Sequence, residues 1–162
     1  MPIPPPRPVL FLDVDGPLIP FGETVREPLT HGGNPLLGRL DPTVGASLLA
    51  LPCDLVWATT WQHEANDTIA PRLGLPRLPV MDWPEADPPA PRGLHWKTRP
   101  LSEWAGHRPF VWLDDEIGAM DRLWIESAHP APALLLRVDP AKGLTEEDVM
   151  VVGEWLRRSS HR

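Results

Sequence analysis

The sequence contains one cysteine and no tyrosine, and it has no apolar run long enough to span a membrane. The single thiol, Cys53, cannot form an internal disulfide and has no Cys or His at zinc-site spacing, which favours a reduced, buried side chain. A membrane-spanning helix needs about 20 consecutive apolar residues. The first residues, MPIPPP, also lack the basic and apolar regions of a signal peptide. These absences predict a cytoplasmic protein without a disulfide framework or membrane anchor.

Basic residues are also fewer than acidic ones. The chain has 15 basic and 22 acidic residues, which gives a formal net charge of −7. Such a balance repels long polyanions unless basic residues cluster on one face, and no basic cluster is visible. The sequence therefore does not indicate an extended nucleic-acid-binding patch. Its 162 residues and 42% hydrophobic content predict one globular domain that covers the whole chain.

Short apolar runs alternate with helical patterns along the chain. Four apolar runs predict strands at residues 9–12, 55–58, 110–113 and 134–138, the first of them buried on both faces, with a weaker strand pattern at 78–81. Helical patterns are found at about residues 42–51, 61–73, 98–105, 117–126 and from 145 towards the C-terminus. This alternation predicts an α/β fold in which a parallel sheet carries helices on both faces. Its ligand crevice should lie at the carboxyl ends of the strands.

Residues 17–40 interrupt this alternation. They contain several glycine and proline residues and show no clear periodicity. A segment of this length without secondary structure is usually functional in a compact domain. We therefore predict a small lid-like excursion over the strand ends.

Polar side chains follow three of the predicted strands, and a lysine precedes the third of these. They are, in chain order, Asp13, Asp15, Thr59, Thr60, Lys97, Asp114 and Asp115. Carboxylates gathered in one place raise each other's pKa unless a cation lies among them. Oxygen-only ligands of this kind suit Mg²⁺. The sequence therefore predicts a magnesium site at this edge of the sheet.

The same residues are suited to phosphoryl transfer. Asp13 could attack a phosphoryl group in line and form an aspartyl phosphate, while a lysine and a hydroxyl neutralise the phosphoryl oxygens. Asp15, two residues further on, could protonate the leaving oxygen and later activate water, and Gly16 would allow the turn between them. Strand alternation favours Thr59 over Thr60 as the hydroxyl donor, although a slip of one residue would reverse them.

These motifs resemble a known family. The segment FLDVDG at residues 11–16, Thr59, Lys97 and the segment LDD at residues 113–115 match, in order, the four signature motifs of the haloacid dehalogenase (HAD) superfamily. The wider segments WATTW at residues 57–61 and RPFVWLDDE at residues 108–116 are similar to the HAD domain found in Swiss Army Knife RNA repair proteins. The resemblance spans about residues 9–138. It implies a Rossmann-like sheet of the HAD type with a minimal cap.

The resemblance also implies roles for the individual residues. Asp13 would be the nucleophile and a metal ligand, and Asp15 would be the general acid and base and would bind the metal through its backbone carbonyl. Thr59 and Lys97 would bind the phosphoryl group, with Thr60 beside them. Asp115 is favoured over Asp114 as the direct metal ligand, and either remains open. Pro17 departs from the family pattern, where many members have threonine, and it lacks a backbone N–H.

Two functional hypotheses follow. The first is a Mg²⁺-dependent phosphomonoester hydrolase that acts on a phosphorylated small molecule, a nucleotide or a nucleic-acid end. The open site without a large cap favours a nucleotide or nucleic-acid end over a small sugar phosphate. The resemblance to RNA repair proteins implies nucleic-acid ends, whereas the net charge favours mononucleotides or small metabolites. The second is a catalytically silent phosphate-binding or scaffold protein that keeps the fold. Transfer to an acceptor other than water is also open.

Overall fold

The structure, a computed structural model, describes residues 6–20, 38–83 and 91–159. The strands are β1 (Val9–Leu12), β2 (Asp54–Trp57), β3 (Phe110–Asp114) and β4 (Ala133–Arg137). The α-helices are α1 (Pro42–Leu49), α2 (Ala70–Leu73), α3 (Thr98–Ala105), α4 (Ala119–Ala128) and α5 (Glu146–Ser159), and a π-helical segment covers Ala65–Ile69. None of the helices in these ranges is long and apolar enough to cross a membrane.

The strands form one four-stranded sheet in the order β2-β1-β3-β4, and every neighbouring pair is parallel. All four residues of β1 are buried, as a central strand covered on both faces requires. In the register of the sheet, Leu12 pairs with Trp57 on one side and with Leu113 on the other. The three strands therefore end side by side. The predicted α/β class, parallel sheet and four main strands are confirmed.

Two separate cores cover the two faces of the sheet. Leu10 and Leu12 of β1 point into one core, which α1, α2 and α5 complete with Leu48, Leu73 and Leu156, among others. Val9 and Phe11 point into the other core, which α3 and α4 complete with Leu101 and Ile125. The alternation of β1 residues between two hydrophobic environments follows from the two-residue period of a strand. Helices therefore lie on both faces, as predicted.

The weak strand predicted at residues 78–81 forms only a single parallel bridge, between Trp57 and Val80. The backbone N–H of Trp57 donates to the Pro79 carbonyl, and the N–H of Met81 donates to the Trp57 carbonyl, both at 2.9 Å. Proline has no N–H with which to extend such a ladder. The segment lies along the edge of β2 without forming a regular strand.

The helix predicted at residues 61–73 is less regular than expected. Turns occupy residues 60–63, and the π-helical segment is followed by a single α-helical turn. Pro71 cannot donate a hydrogen bond to the carbonyl four residues before it, which disfavours a continuous α-helix here. The buried Asn66 side chain also accepts from the Trp57 indole N–H and the Leu78 N–H, both at 2.8 Å.

The predicted lid falls mainly on residues 21–37, which lie outside the described residues. Its two described ends pack into the core, where Leu18 and Leu40 are buried. The backbone N–H groups of Leu18 and Ile19 both donate to the Val14 carbonyl, at 3.0 and 2.9 Å. A tight turn therefore follows the first motif.

Candidate active site

The parallel register brings three strand ends together around Asp13. The backbone N–H of Asp13 donates to the Leu113 carbonyl at 3.2 Å, and the N–H of Ala58 donates to the Leu12 carbonyl at 2.9 Å. One carboxylate oxygen each from Asp13, Asp114 and Asp115 lies within 4.8 Å of the other two. Acidic side chains from β1 and β3 thus meet at the carboxyl edge of the sheet.

Lys97 joins these strand ends through its side chain, which is 5% exposed. Its Nζ donates to Asp114 Oδ2 at 2.9 Å and lies 3.2 Å from Asp13 Oδ1. The same ammonium donates to the Ala58 carbonyl at the end of β2, at 3.0 Å. One cation therefore touches the ends of β1, β2 and β3. Charge-assisted hydrogen bonds of this kind are roughly twice as strong as neutral ones.

The electrostatics of the cluster favour an additional cation. Burial raises the pKa of Asp13 to about 7, with a further upward contribution from Asp114 and a partial offset from Lys97. Burial and the neighbouring Asp114 raise the pKa of Asp115 to about 6. Burial alone would lower the pKa of Lys97, but the carboxylates of Asp13 and Asp114 outweigh it and raise that pKa. Three carboxylates facing one ammonium leave excess negative charge, and a divalent ion with oxygen ligands fits this set.

The two members of the Asp114–Asp115 pair differ in their surroundings. Asp114 is fully buried, and its oxygens are engaged by Lys97 and by the backbone N–H of Glu116, the latter at 3.0 Å. Asp115 is partly exposed and lies against Gly16, where an added Cβ would stand 2.7 Å from Asp115 Cγ. Gly16 also has a φ of +103°, which side chains rarely adopt. A glycine is therefore required here by both backbone conformation and space.

Asp15 has a different partner from the other acidic residues. Within the described residues, its carboxylate does not join the cluster of three. Instead Asp15 Oδ2 accepts a hydrogen bond from the Trp61 indole N–H at 3.2 Å. Trp61 is not among the site residues predicted from the sequence, because nothing in a strand-end pattern shows that a side chain 46 positions away reaches back to the first motif.

The turn after β2 holds Thr59 and Trp61 in place. Thr59 is fully buried and its Oγ1 accepts from the Trp61 backbone N–H at 3.2 Å, whereas Thr60 is exposed. Gln62 follows with a φ of +52°, and it is the one non-glycine residue with positive φ in the described ranges. Such strained positions, and π-helical turns like the one that begins at Ala65, are frequent at functional sites.

A buried carboxylate outside the motifs positions the segment that carries Lys97. Asp121 Oδ1 accepts from the His95 backbone N–H at 2.8 Å and from the Thr98 hydroxyl at 2.7 Å, and its Oδ2 accepts from the Gly118 N–H at 2.8 Å. Asp121 is not among the predicted site residues. Its one sequence signal is its place in the first turn of α4, where an acidic side chain can return to the residue that precedes the helix.

The fold and the order of the motifs along it define the class of protein. A parallel α/β sheet carries Asp13 after the first strand, Thr59 after the second, and the Lys97 and Asp114–Asp115 positions around the third, which is the arrangement of the haloacid dehalogenase superfamily. The chain belongs to the family described as the HAD domain in Swiss Army Knife RNA repair proteins, whose model matches residues 9–149. A search of curated proteins and a search of solved structures each found no match.

Proposed function

We propose that this protein is a Mg²⁺-dependent phosphomonoester hydrolase that works through an aspartyl phosphate on Asp13. One observation carries the proposal: Lys97 Nζ bridges the carboxylates of Asp13 and Asp114, beside a cluster of three acidic side chains. A structural ion pair would need one carboxylate for one ammonium. The surplus of acid is costly in a buried position unless a divalent cation joins it. Membership of the HAD family supports the same chemistry.

The residues suited to hold the metal are Asp13, Asp115 and the backbone carbonyl of Asp15. Both oxygens of Asp114 already accept hydrogen bonds, so Asp114 would not contact the metal directly. It would hold Lys97 in place beside the metal site. When bound, Mg²⁺ supplies positive charge that stabilises the phosphoryl oxygens and permits a carboxylate to approach them. Lys97 would contribute to the same charge compensation, and the Thr59 hydroxyl would bind a phosphoryl oxygen from the end of β2.

Hydrolysis would proceed in two steps at these side chains. A carboxylate oxygen of Asp13 forms a bond to phosphorus, the bond from phosphorus to the ester oxygen breaks, and protonated Asp15 gives its proton to that leaving oxygen. Asp15 then takes a proton from water as the water oxygen attacks phosphorus. The bond between Asp13 and phosphorus breaks and inorganic phosphate leaves, which returns both carboxyl groups to their starting states.

For the substrate, we propose a phosphate at the end of a nucleotide or nucleic acid. The family description refers to RNA repair proteins, which supports this class. The net charge of −7 opposes tight binding of a long phosphate backbone. A mononucleotide, or the terminal nucleotide of a nucleic acid, presents few phosphates. Such a substrate is consistent with both the family description and the net charge.

The basic test is release of inorganic phosphate from an aryl phosphate by the purified protein. We expect turnover with Mg²⁺ and none after chelation, with recovery when Mg²⁺ is restored. Phosphorylated oligonucleotides, nucleoside monophosphates and sugar phosphates, assayed side by side, then locate the substrate class. Tight binding of phosphorylated ligands without turnover on any of them would contradict the proposal and identify a phosphate-binding protein.

The raised pKa values predict how Mg²⁺ affects stability at different pH. The pKa of Asp13 rises from an ordinary value of about 4 in the unfolded chain to about 7 in the metal-free fold. The folded state therefore holds this proton more tightly, and the contribution of Asp13 to the free energy of unfolding falls as pH increases across that window. Mg²⁺ binds the ionised carboxylates and should offset the loss.

We accordingly expect the rise in Tm on adding Mg²⁺ to be small near about pH 5 and larger near about pH 8, where Asp13 and Asp115 are ionised. Thermal unfolding with Mg²⁺ and with a chelator, across this range, measures the difference directly. Titratable groups remote from the metal affect Tm equally with and without Mg²⁺, so their contributions cancel in the difference between the two Tm values. A Tm increment that is the same at both pH values would show that these carboxylates do not bind the ion.

Trp61 should act on the reaction through Asp15. The variant Trp61→Phe keeps an aromatic ring but removes the indole donor to Asp15 Oδ2. Poor leaving groups need protonation, so we expect kcat/KM for an alkyl phosphate, which reports formation of the aspartyl phosphate, to fall about 10-fold, as befits the loss of one hydrogen bond to the carboxylate that forms as Asp15 gives up its proton. The kcat/KM for p-nitrophenyl phosphate, whose leaving group needs no proton, should change little. Steady-state kinetics on both substrates measures the contrast.

The variant Asp15→Asn provides the matched control. It should lower kcat/KM for the alkyl phosphate by about 10²–10⁴-fold, the usual contribution of a general acid. Adding Trp61→Phe to it should have little further effect, because the two side chains act through one interaction. Equal losses on both substrates in Trp61→Phe would mean that the tryptophan supports the fold and does not position the acid.

A further inference from the structure

Two tryptophan rings stand beside the lysine of the candidate active site. The Trp96 ring centroid lies 5.6 Å from Lys97 Nζ, and the Trp83 ring centroid lies 5.9 Å from it. The two rings contact each other edge to face, with centroids 4.8 Å apart. Since Lys97 Nζ is 3.2 Å from Asp13 Oδ1, the aromatic pair borders the place where a phosphoryl group would meet the nucleophile.

Trp83 ties the pair to the site, whereas Trp96 is partly exposed to solvent. The Trp83 indole N–H donates to the Thr59 carbonyl at 3.1 Å, which ties that ring to the end of β2. Trp96 stacks on the His95 ring, with centroids 5.4 Å apart and planes inclined by 28°. Even so, Trp96 remains 43% exposed. The exposed part of this large apolar ring, held in place at the edge of a charged site, offers contact area for the flat face of a ligand.

Charge limits what this surface can bind. A chain with a net charge of −7 gains little from a long phosphate backbone, so a substrate has to be held by its terminal phosphate and by uncharged contacts. Stacking of a base on an aromatic side chain provides such a contact and tolerates any base sequence. In a nucleotide the sugar separates the base from the phosphate, and the Trp96 ring centroid stands 5.6 Å from the Lys97 Nζ that would bind the phosphate.

We propose that Trp83 and Trp96 form a stacking subsite for the nucleobase next to the phosphate that is removed. The proposal rests on the phosphomonoesterase function above and narrows its substrate to base-bearing phosphates. Trp96 is the contact residue, because its ring is the more exposed of the two. Trp83 supports that ring from the side through the edge-to-face contact. Specificity would then depend on the presence of a base and not on its identity.

A comparison of KM for adenosine 5′-monophosphate and ribose 5-phosphate tests this proposal, since the two compounds differ only in the base. We expect wild-type protein to have a KM for the nucleotide about 10-fold below that for the sugar phosphate, in line with the contribution of one stacked base. The variant Trp96→Leu should raise the KM for the nucleotide about 10-fold and leave the KM for the sugar phosphate within about 2-fold. Trp96→Phe should retain most of the discrimination.

Trp104→Leu is the matched control. Trp104 is 42% exposed, close to the value for Trp96, but it packs edge to face on Phe11 and lines a cavity of about 400 Å³ with Arg7 and Asp54, at the amino ends of the strands. This variant should leave the nucleotide to sugar-phosphate ratio of KM unchanged. Unphosphorylated adenosine should inhibit the wild-type protein competitively and should inhibit Trp96→Leu much more weakly.

Different results would contradict the hydrolase function and the stacking subsite. If the wild-type protein releases phosphate from neither compound, nor from any other phosphomonoester with Mg²⁺, the hydrolase function is wrong, and adenosine binding measured by calorimetry still tests the subsite. If the protein releases phosphate but shows equal KM values for the two compounds, the subsite is wrong. Equal losses on both compounds in Trp96→Leu would likewise overturn it, because the ring would then serve only to hold Lys97.

Discussion

The variant Asp13→Asn is expected to lose phosphatase activity, with kcat reduced at least about 10³-fold, because its side chain is no longer a nucleophile. Asparagine has nearly the same shape as aspartate, so the packing of β1 against its neighbours should be kept. Phosphate release from an aryl phosphate in saturating Mg²⁺ is the measurement. A variant with an undiminished rate would remove the aspartyl phosphate from the mechanism.

Folding of this variant is checked by its stability without metal. Burial raises the pKa of Asp13 to about 7, so at higher pH the metal-free fold bears the cost of a buried charge. Asparagine carries no such charge, and we expect the Tm of Asp13→Asn near about pH 8 in a chelator not to fall below that of the wild type. A large drop in Tm would mean that lost activity reflects lost structure, and Asp13→Glu, which restores the charge at the wrong length, would then serve as the second test.

The second large effect is expected from Lys97→Met. Methionine preserves the length of the side chain and removes its charge, which leaves Asp13 and Asp114 without their shared cation. Removing one partner of a buried ion pair costs about 3–5 kcal/mol. We therefore expect the free energy of unfolding of the metal-free protein, measured by urea denaturation near about pH 8, to fall by about that amount. Activity should be lost as well.

The metal and pH dependence of this loss identify its origin. Mg²⁺ can neutralise the same carboxylates, so the destabilisation by Lys97→Met should shrink when Mg²⁺ is present. It should also be smaller near about pH 5, where Asp13 is protonated. Lys142→Met is the control, because Lys142 is exposed and should tolerate the change. A loss of stability that is insensitive to both Mg²⁺ and pH would indicate lost packing and not lost charge.

The placement of Lys97 illustrates how the site depends on the rest of the fold. The lysine lies in the turn just before α3, and the backbone N–H of His95 and the hydroxyl of Thr98 on either side of it are held by the buried carboxylate of Asp121. The Lys97 N–H also donates to His95 Nδ1 at 3.1 Å, and burial lowers the pKa of that histidine. A neutral imidazole can accept this hydrogen bond. Hydrogen bonds on both sides therefore fix the backbone that carries Lys97, and this holds its ammonium group at the strand ends.

The central strands β1 and β3 could be predicted because all of their residues are buried, with helices covering both faces of the parallel sheet. Apolar runs such as the one at residues 110–113 leave no alternative to burial, and a polar residue at the end of each run marks where the strand ends. The order of Asp13, Thr59, Lys97 and Asp114 along such strands also predicted which edge of the sheet would carry the chemistry. Local pattern was informative here because burial and strand direction are both expressed locally.

The local pattern did not predict the structure correctly in two segments. Residues 61–73 have a helical pattern, yet Pro71 and the buried Asn66 favour turns and a π-helical segment there. Residues 78–81 have the composition of a strand, yet they contribute one bridge at Val80. In both places the outcome depended on hydrogen bonds to distant backbone, which composition does not record.

By itself, the sequence determined the class of fold, the parallel strands and the identity of the polar residues at their ends, because hydrophobic burial and chain connectivity act over short stretches. Only the tertiary structure decided which partner each polar group has. It joined Asp15 to Trp61 across 46 positions, closed Lys97 onto Asp13 and Asp114, and set two tryptophan rings beside that lysine. Those contacts join distant parts of the chain, and their geometry depends on the packing of every element between them.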